Sequence, residues 1–145
     1  MNVKELISAM QNGAYDSNLK AVYLTDGAVD LQKPRYVEAL NSFGELFGFD
    51  REVSIMSAPG RTEVCGNHTD HNNGKVLAAS INLDAIAVVS KNDDNIIRVK
   101  SKGHRMNVVD LNDLTPNEKN FGSSTTLVQG LSLIHISEPT RRVVI

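Results

Sequence analysis

The stretch that most constrains this chain runs from Ala58 to Gly74 and reads APGRTEVCGNHTDHNNG. A Pro-Gly pair opens it, and an alternating segment from Arg61 to Cys65 follows. Then comes the polar cluster Asn67-His68-Thr69-Asp70-His71-Asn72-Asn73, closed by Gly74. No other window packs so many hydrogen-bonding side chains between two apolar segments. A polar loop held between strands is a common way to build a small-molecule site. The strands fix the backbone and the loop presents the chemistry.

The chain has 145 residues, one domain's worth and enough for a real core. Its formal net charge is -2, with the basic residues dispersed. Nucleic acid and anionic membranes both need a concentrated basic face, so neither is expected as a partner. No apolar run approaches the roughly 20 residues that a membrane span needs. The N-terminus, MNVKELISAM, lacks a signal-peptide pattern, and the single cysteine, Cys65, rules out an intrachain disulfide. A cytoplasmic location is the expectation.

In chain order, Val3, Leu6, Ile7 and Met10 recur at helical spacing and predict a helix over 2–12, stopped by Gly13. Residues 14–29 are too mixed for an assignment. Tyr36, Val37, Leu40, Phe43, Leu46 and Phe47 form an apolar stripe that predicts a helix over 34–48. Pro34 suits its first turn and Gly48 its C-terminal end. Strands are expected over 52–57, around Thr62 and Val64, over 76–80, over 84–90, over 96–100 and over 106–111, with a turn at Pro59-Gly60. The continuous apolar run Ala85–Val89 reads as buried on both faces. Asn92-Asp93-Asp94-Asn95 reads as the turn of a β-hairpin joining 84–90 to 96–100. The fold class is α/β (α+β in the finer sense), with N-terminal helices ahead of a mixed β-sheet.

Certain side chains in the central stretch carry chemistry. Carboxylates and imidazoles bond hydroxyl groups directionally, and charged acceptors bond them strongly, so His68 and Asp70 suit a polyol ligand. Arg61 is a fixed positive charge able to steady a transferring phosphoryl group or hold a carboxylate ionised. His68, Asp70, His71 and Cys65 are legitimate metal ligands, but their spacing matches no established zinc pattern, and no metal site is expected. Cys65 alternates with apolar residues and reads as a small core side chain. Gly122-Ser123-Ser124-Thr125-Thr126 is the nearest thing to a phosphate cradle. It lacks the usual pattern and, on this reading, a following helical run, so no cofactor-binding residue is assigned.

Ala58-Pro59-Gly60-Arg61, Gly66-x-His68-Thr69-Asp70 and Asn72-x-Gly74 resemble the galactokinase signature, roughly APGRxNxxGEHTDYNxG. Asn67 stands where that family usually has Glu, and His71 where it usually has Tyr. The resemblance implies the first part of the N-terminal domain of the GHMP small-molecule kinases. It also implies ATP-dependent phosphorylation of galactose at the anomeric hydroxyl, with magnesium. Carried over residue by residue, it makes Arg61, Asn67, His68 and Asp70 sugar-binding residues and Arg61 the stabiliser of the transition state. The family's phosphate loop and catalytic Asp have no counterpart here. Residues 1–131 are therefore expected to be part of the galactose-binding domain, inactive alone. Two other readings remain. One is a kinase for another sugar, such as N-acetylgalactosamine or arabinose, which Asn67 favours. The other is a non-catalytic sugar-binding or sensor protein derived from a kinase. The tail SLIHISEPTRR resembles a translated sequencing adaptor, so 132–145 is expected to be non-native.

Overall fold

The computed structural model describes residues 1–25, 27–66, 72–115 and 121–132. The chain divides into two compact units, Met1–Lys91 and Asn92–Ile145. Helix α1, Val3–Gln11, opens the first with a capping box. The Asn2 side chain accepts from the Glu5 N–H at 2.9 Å, and the Glu5 carboxylate accepts from the Asn2 N–H at 3.1 Å. Two otherwise orphaned amide donors are thereby satisfied. Val3, Leu6 and Met10 form its buried face, as their spacing predicts. Gly13 follows at φ +81°, a left-handed turn that suits glycine.

Helix α2, Asp16–Tyr23, lies in the stretch the sequence left unassigned. It has only two buried residues, Leu19 and Tyr23, one helical turn apart, too few to stand out as a periodic pattern.

Helix α3 runs Ala28–Phe47, starting six residues before the expected position. Pro34 is therefore inside the helix and not in its first turn. It removes one backbone hydrogen bond there. The neighbouring side chains offset the loss. Lys33 pairs with Asp16 of α2 at 2.8 Å, Arg35 pairs with Asp84 at 2.9 Å, and Ala28 is buried in the first turn. Gly48 caps the helix with φ +101°, where the pattern places its end.

Strands β1, Ser54–Cys65, and β2, Leu77–Val89, form a long antiparallel hairpin. The chain does not turn at Pro59-Gly60. Both residues lie within β1, so the two strands expected on either side are one. Proline is tolerated because, among the described residues, β1 pairs only with β2 and its other edge asks for no N–H. Likewise, the strands expected over 76–80 and 84–90 are the two ends of β2.

The inner face of the hairpin carries Ile55, Ile86 and Val88, which pack on the helices. The buried core there is Val3, Leu6, Met10, Leu19, Tyr23, Ala28, Tyr36, Leu40 and Val53. Fully burying a side chain such as Leu40, which has no exposed surface, contributes about 2 kcal/mol. The opposite face of β2 is open. Ala85, Ala87 and Val89 are exposed, so the apolar run is not buried on both sides. One helical layer covers the hairpin within this unit, and only one face meets it.

In the second unit, β3, Ile96–Val99, pairs antiparallel with β4, Asn107–Asp110. The Asn92–Asn95 cluster therefore does not join a hairpin between β2 and β3, since β2 pairs with β1. Instead it shapes the start of β3. The Asp94 carboxylate accepts from the Ile96 N–H at 3.1 Å, and Asn95 adopts φ +54°. Val109 is buried here, and α4, Ser124–Ser132, packs on β4. The α/β class is as the sequence predicts, but among the described residues the strands form two two-stranded antiparallel sheets and not one mixed sheet, because each strand finds its partner within its own unit. No helix among the described residues is long and apolar enough to cross a membrane.

Candidate functional site

The central stretch occupies the second half of β1 and the connection to β2. Pairing runs regularly from Ser54 opposite Val89 to Pro59 opposite Asp84. It then breaks. The next pair is Arg61 with Ser80, so Ile81, Asn82 and Leu83 of β2 stand opposite Gly60 alone. A Cβ on Gly60 would lie 3.1 Å from the Leu83 carbonyl oxygen and 3.2 Å from two carbons of Ile81. Glycine thus lets the strands close on this bulge. A second shift lies between Glu63 and Cys65.

Beyond Cys65 the strands pinch together. Gly66 has φ +89°, and a Cβ there would sit 2.4 Å from the Lys75 carbonyl oxygen and 2.9 Å from the Val76 Cα. No side chain fits. On the return, Asn73 adopts φ +57°.

Arg61 projects from β1 just past the bulge. Its side chain is 75% exposed, with one guanidinium nitrogen 4.0 Å from a Glu63 carboxylate oxygen. Among the described residues, that loose pair leaves most of its donor capacity open to a ligand. Asn67, His68, Asp70 and His71 lie outside the described residues, as does Thr69. Cys65 is exposed and so is not the core side chain its alternation suggested. It pairs with Leu77 at the end of the hairpin. Gly122–Thr126 also differs from expectation, because a helix, α4, does follow it. The Ser123 hydroxyl accepts from the Thr126 N–H at 3.2 Å, as at a capped helix start.

The sequence reading missed the most extensively hydrogen-bonded side chain among the described residues of the hairpin. The Asp84 side chain is 2% exposed. One carboxylate oxygen accepts from the Tyr23 hydroxyl and from the Ser57 hydroxyl, each at 2.6 Å. The other accepts from Arg35 at 2.9 Å, and Arg35 also donates to the Asp84 main-chain carbonyl at 3.2 Å and to the Gln32 side chain. The Tyr23 and Tyr36 hydroxyls are 2.9 Å apart. Since Tyr23 donates to Asp84, its oxygen accepts from Tyr36. Burial alone pushes the Asp84 carboxyl up. The bonds from Ser57, Tyr23 and Arg35, with the Arg35 charge, together hold it below the ordinary carboxylate range. Burial, and then the bond to Asp84, push the Tyr23 phenol well up. A lone carboxylate inside the apolar run Ile81–Val89 was the signal for this network.

Among the described residues, no group of three or more His, Cys, Asp or Glu side chains is arranged to hold a metal ion. At the Gly122–Thr126 turn, a Cβ on Gly122 would meet nothing within 4 Å, and the Ser123 hydroxyl accepts from the Thr126 N–H of its own helix.

Residues 41–91 match the family model described as the galactokinase galactose-binding signature. That span covers the C-terminal part of α3, all of β1 and β2, and the connection between them. The galactokinase of Streptomyces coelicolor is 40% identical over 76 residues, covering 51% of this chain and 19% of that protein. The galactokinase of Enterococcus faecalis is 42% identical over 62 residues, covering 43% and 16%. The galactokinase of Fusobacterium nucleatum is 31% identical over 74 residues, covering 50% and 19%. The matched part is less than one fifth of each of these curated relatives. No solved structure matches the chain. Residues 41–91 thus carry the galactokinase galactose-binding signature, and about half of this chain is similar to part of known galactokinases.

Proposed function

We propose that this chain is the sugar-recognition part of a galactokinase and binds galactose at the tip of the β1–β2 hairpin. The observation that carries this reading is where the signature falls. Its polar cluster is the connection of a hairpin whose ends are fixed by the Gly60 bulge and the Gly66 pinch. Arg61, Asn67, His68 and Asp70 are the proposed sugar contacts. On this reading Asp70 accepts from ring hydroxyls, His68 accepts from them or donates to them, and Arg61 supplies a fixed positive charge to the same ligand. Polar pairing with individual hydroxyls sets which epimer is accepted.

ATP-dependent phosphorylation of the anomeric hydroxyl belongs, on this reading, to the longer protein. No step through ATP or magnesium is assigned to this chain, and among the described residues no group of three or more His, Cys, Asp or Glu side chains is placed to hold a metal ion. Arg61 is the one residue proposed here to face the transferring group in the complete enzyme. Residues 1–131 form the proposed sugar-binding part, 132–145 the proposed non-native tail, and the proposed location is the cytoplasm.

Titration calorimetry of the purified chain with galactose tests the proposal. Saturable binding is expected, and His68→Ala and Asp70→Ala should abolish it while leaving the circular dichroism unchanged. A folded chain that takes up no galactose overturns it. ATP-dependent phosphorylation of galactose by this chain alone would overturn the assignment of catalysis to the longer protein. Asn67, an uncharged side chain where the family has a carboxylate, favours a second reading, a different sugar. Tighter binding of N-acetylgalactosamine or arabinose in the same titration would establish it.

A further inference from the structure

We infer that Asp84 is a positioning residue for the sugar loop, acting through Ser57 and the Gly60 bulge without touching the ligand. The inference rests on the sugar-binding reading above.

Three observations lead to it. First, Asp84 marks the edge of the bulge. It is the last residue of β2 in regular register, opposite Pro59, before three residues of β2 face Gly60 alone. Second, its carboxylate ties both strands of the hairpin to the helices. Ser57 of β1 donates to it, and so do Tyr23 of α2 and Arg35 of α3. Tyr36 of α3 extends the chain through Tyr23. Third, the side chain is almost wholly buried, with both oxygens occupied, so no face is left for a ligand.

A register break in a two-stranded hairpin is a place where the strands can slip, because pairing on one side does not dictate pairing on the other. Arg61 is the first paired residue beyond the break, opposite Ser80. Its position therefore depends on what holds the strands at the near side. Ser57 and Asp84 supply that hold, since their side chains bond across the two strands, and Arg35 and Tyr23 anchor the bond to the helical layer. A carboxylate suits the task because it accepts all three donors at once. An amide would offer a single acceptor oxygen and could not balance the Arg35 charge.

Asp84→Asn and Ser57→Ala in this chain test the inference. The readouts are galactose affinity by calorimetry and the amide NMR shifts of Gly60, Arg61 and Gly66, with those of Leu6 and Leu40 reporting the helical core. Asp84→Asn should weaken galactose binding by about tenfold, the loss of one good hydrogen bond at the site. The Gly60, Arg61 and Gly66 amides should shift while Leu6 and Leu40 stay put. Unchanged affinity in a folded Asp84→Asn chain overturns the positioning role and leaves the sugar site standing. Shifts confined to Tyr23, Arg35 and Tyr36 also overturn it. Should Asp84→Asn fail to fold, Ser57→Ala decides by the same criteria, because it removes only the bond to β1. Should the unmodified chain bind no galactose, the sugar reading fails by itself, and the NMR shifts decide whether Asp84 sets the bulge.

Discussion

The hydroxyl of Tyr23 lies 2.6 Å from an Asp84 carboxylate oxygen, and the same oxygen accepts from Ser57 at the same distance. A residue of α2 and a residue of β1 thus share one acceptor on β2. The part-buried Tyr23 bond joins the helical layer to the strands, and the Ser57 bond lies on the exposed side; an unmade partner at a buried carboxylate is costly.

Asp84→Asn should lower stability by about 2 kcal/mol at neutral pH, the usual loss for hydrogen bonds to a charged group. The Asp84 carboxyl is held below its ordinary value in the folded chain. Its contribution is therefore present at and above the unfolded value, near about 3.9, and is lost as pH falls through the lower folded value. Denaturant unfolding should show the difference between parent and variant constant at neutral pH and shrinking below about pH 4.

Gly44→Ala sets two effects against each other. Alanine in a helix interior gains about 1 kcal/mol over glycine. A Cβ at Gly44 would lie 2.3 Å and 2.4 Å from carbons of the Phe49 ring. A packed ring cannot yield that far cheaply, and overpacking costs about 1–3 kcal/mol. The clash should win, and the variant should melt below the parent in a calorimetric scan.

Gly66→Ala meets backbone instead of a ring. The Lys75 carbonyl would be 2.4 Å from the new carbon, and the φ of +89° is itself unfavourable for alanine. Galactose binding by calorimetry should be lost, while circular dichroism keeps the helical signal of α1–α3.

Cys65 gives a chemical reporter beside the loop, since it is exposed and is the chain's single thiol. Galactose should slow its reaction with a bulky thiol reagent by severalfold, and a sugar that does not bind should leave the rate unchanged. Mass spectrometry over time measures both.

The open face of the hairpin predicts solution behaviour. Leu77 is 57% exposed and Val89 43%. Replacing both by Thr should change stability by less than about 0.5 kcal/mol per site, as for ordinary surface positions. Light scattering should report less association, because less apolar surface is exposed.

Much of this architecture is legible in the residues themselves. The Val3, Leu6 and Met10 stripe marks α1, and Leu40 lies at the centre of the α3 pattern, because burial on one face imposes helical spacing. The errors have local causes. Pro34 reads as a helix start, but Ala28 and the ion pairs at Lys33 and Arg35 carry the helix through it. Pro59-Gly60 reads as a turn, but an edge strand tolerates the proline and the bulge requires the glycine. The partner of β3 depends on contacts between distant segments, which a local turn pattern does not encode. At the site, Arg61 and the polar cluster are conspicuous in the sequence. Asp84 is not, since its partners come from Tyr23, Arg35 and Ser57, far along the chain.

The pinch at Gly66 and Lys75 makes the intervening segment an exchangeable cassette. Its two ends are held where Gly66 approaches the Lys75 and Val76 backbone. On the proposed reading, new residues between those ends would alter which hydroxyls are read while the strands and helices keep their places. Segment 67–74 grafted from a relative of different sugar preference should therefore carry that preference with it.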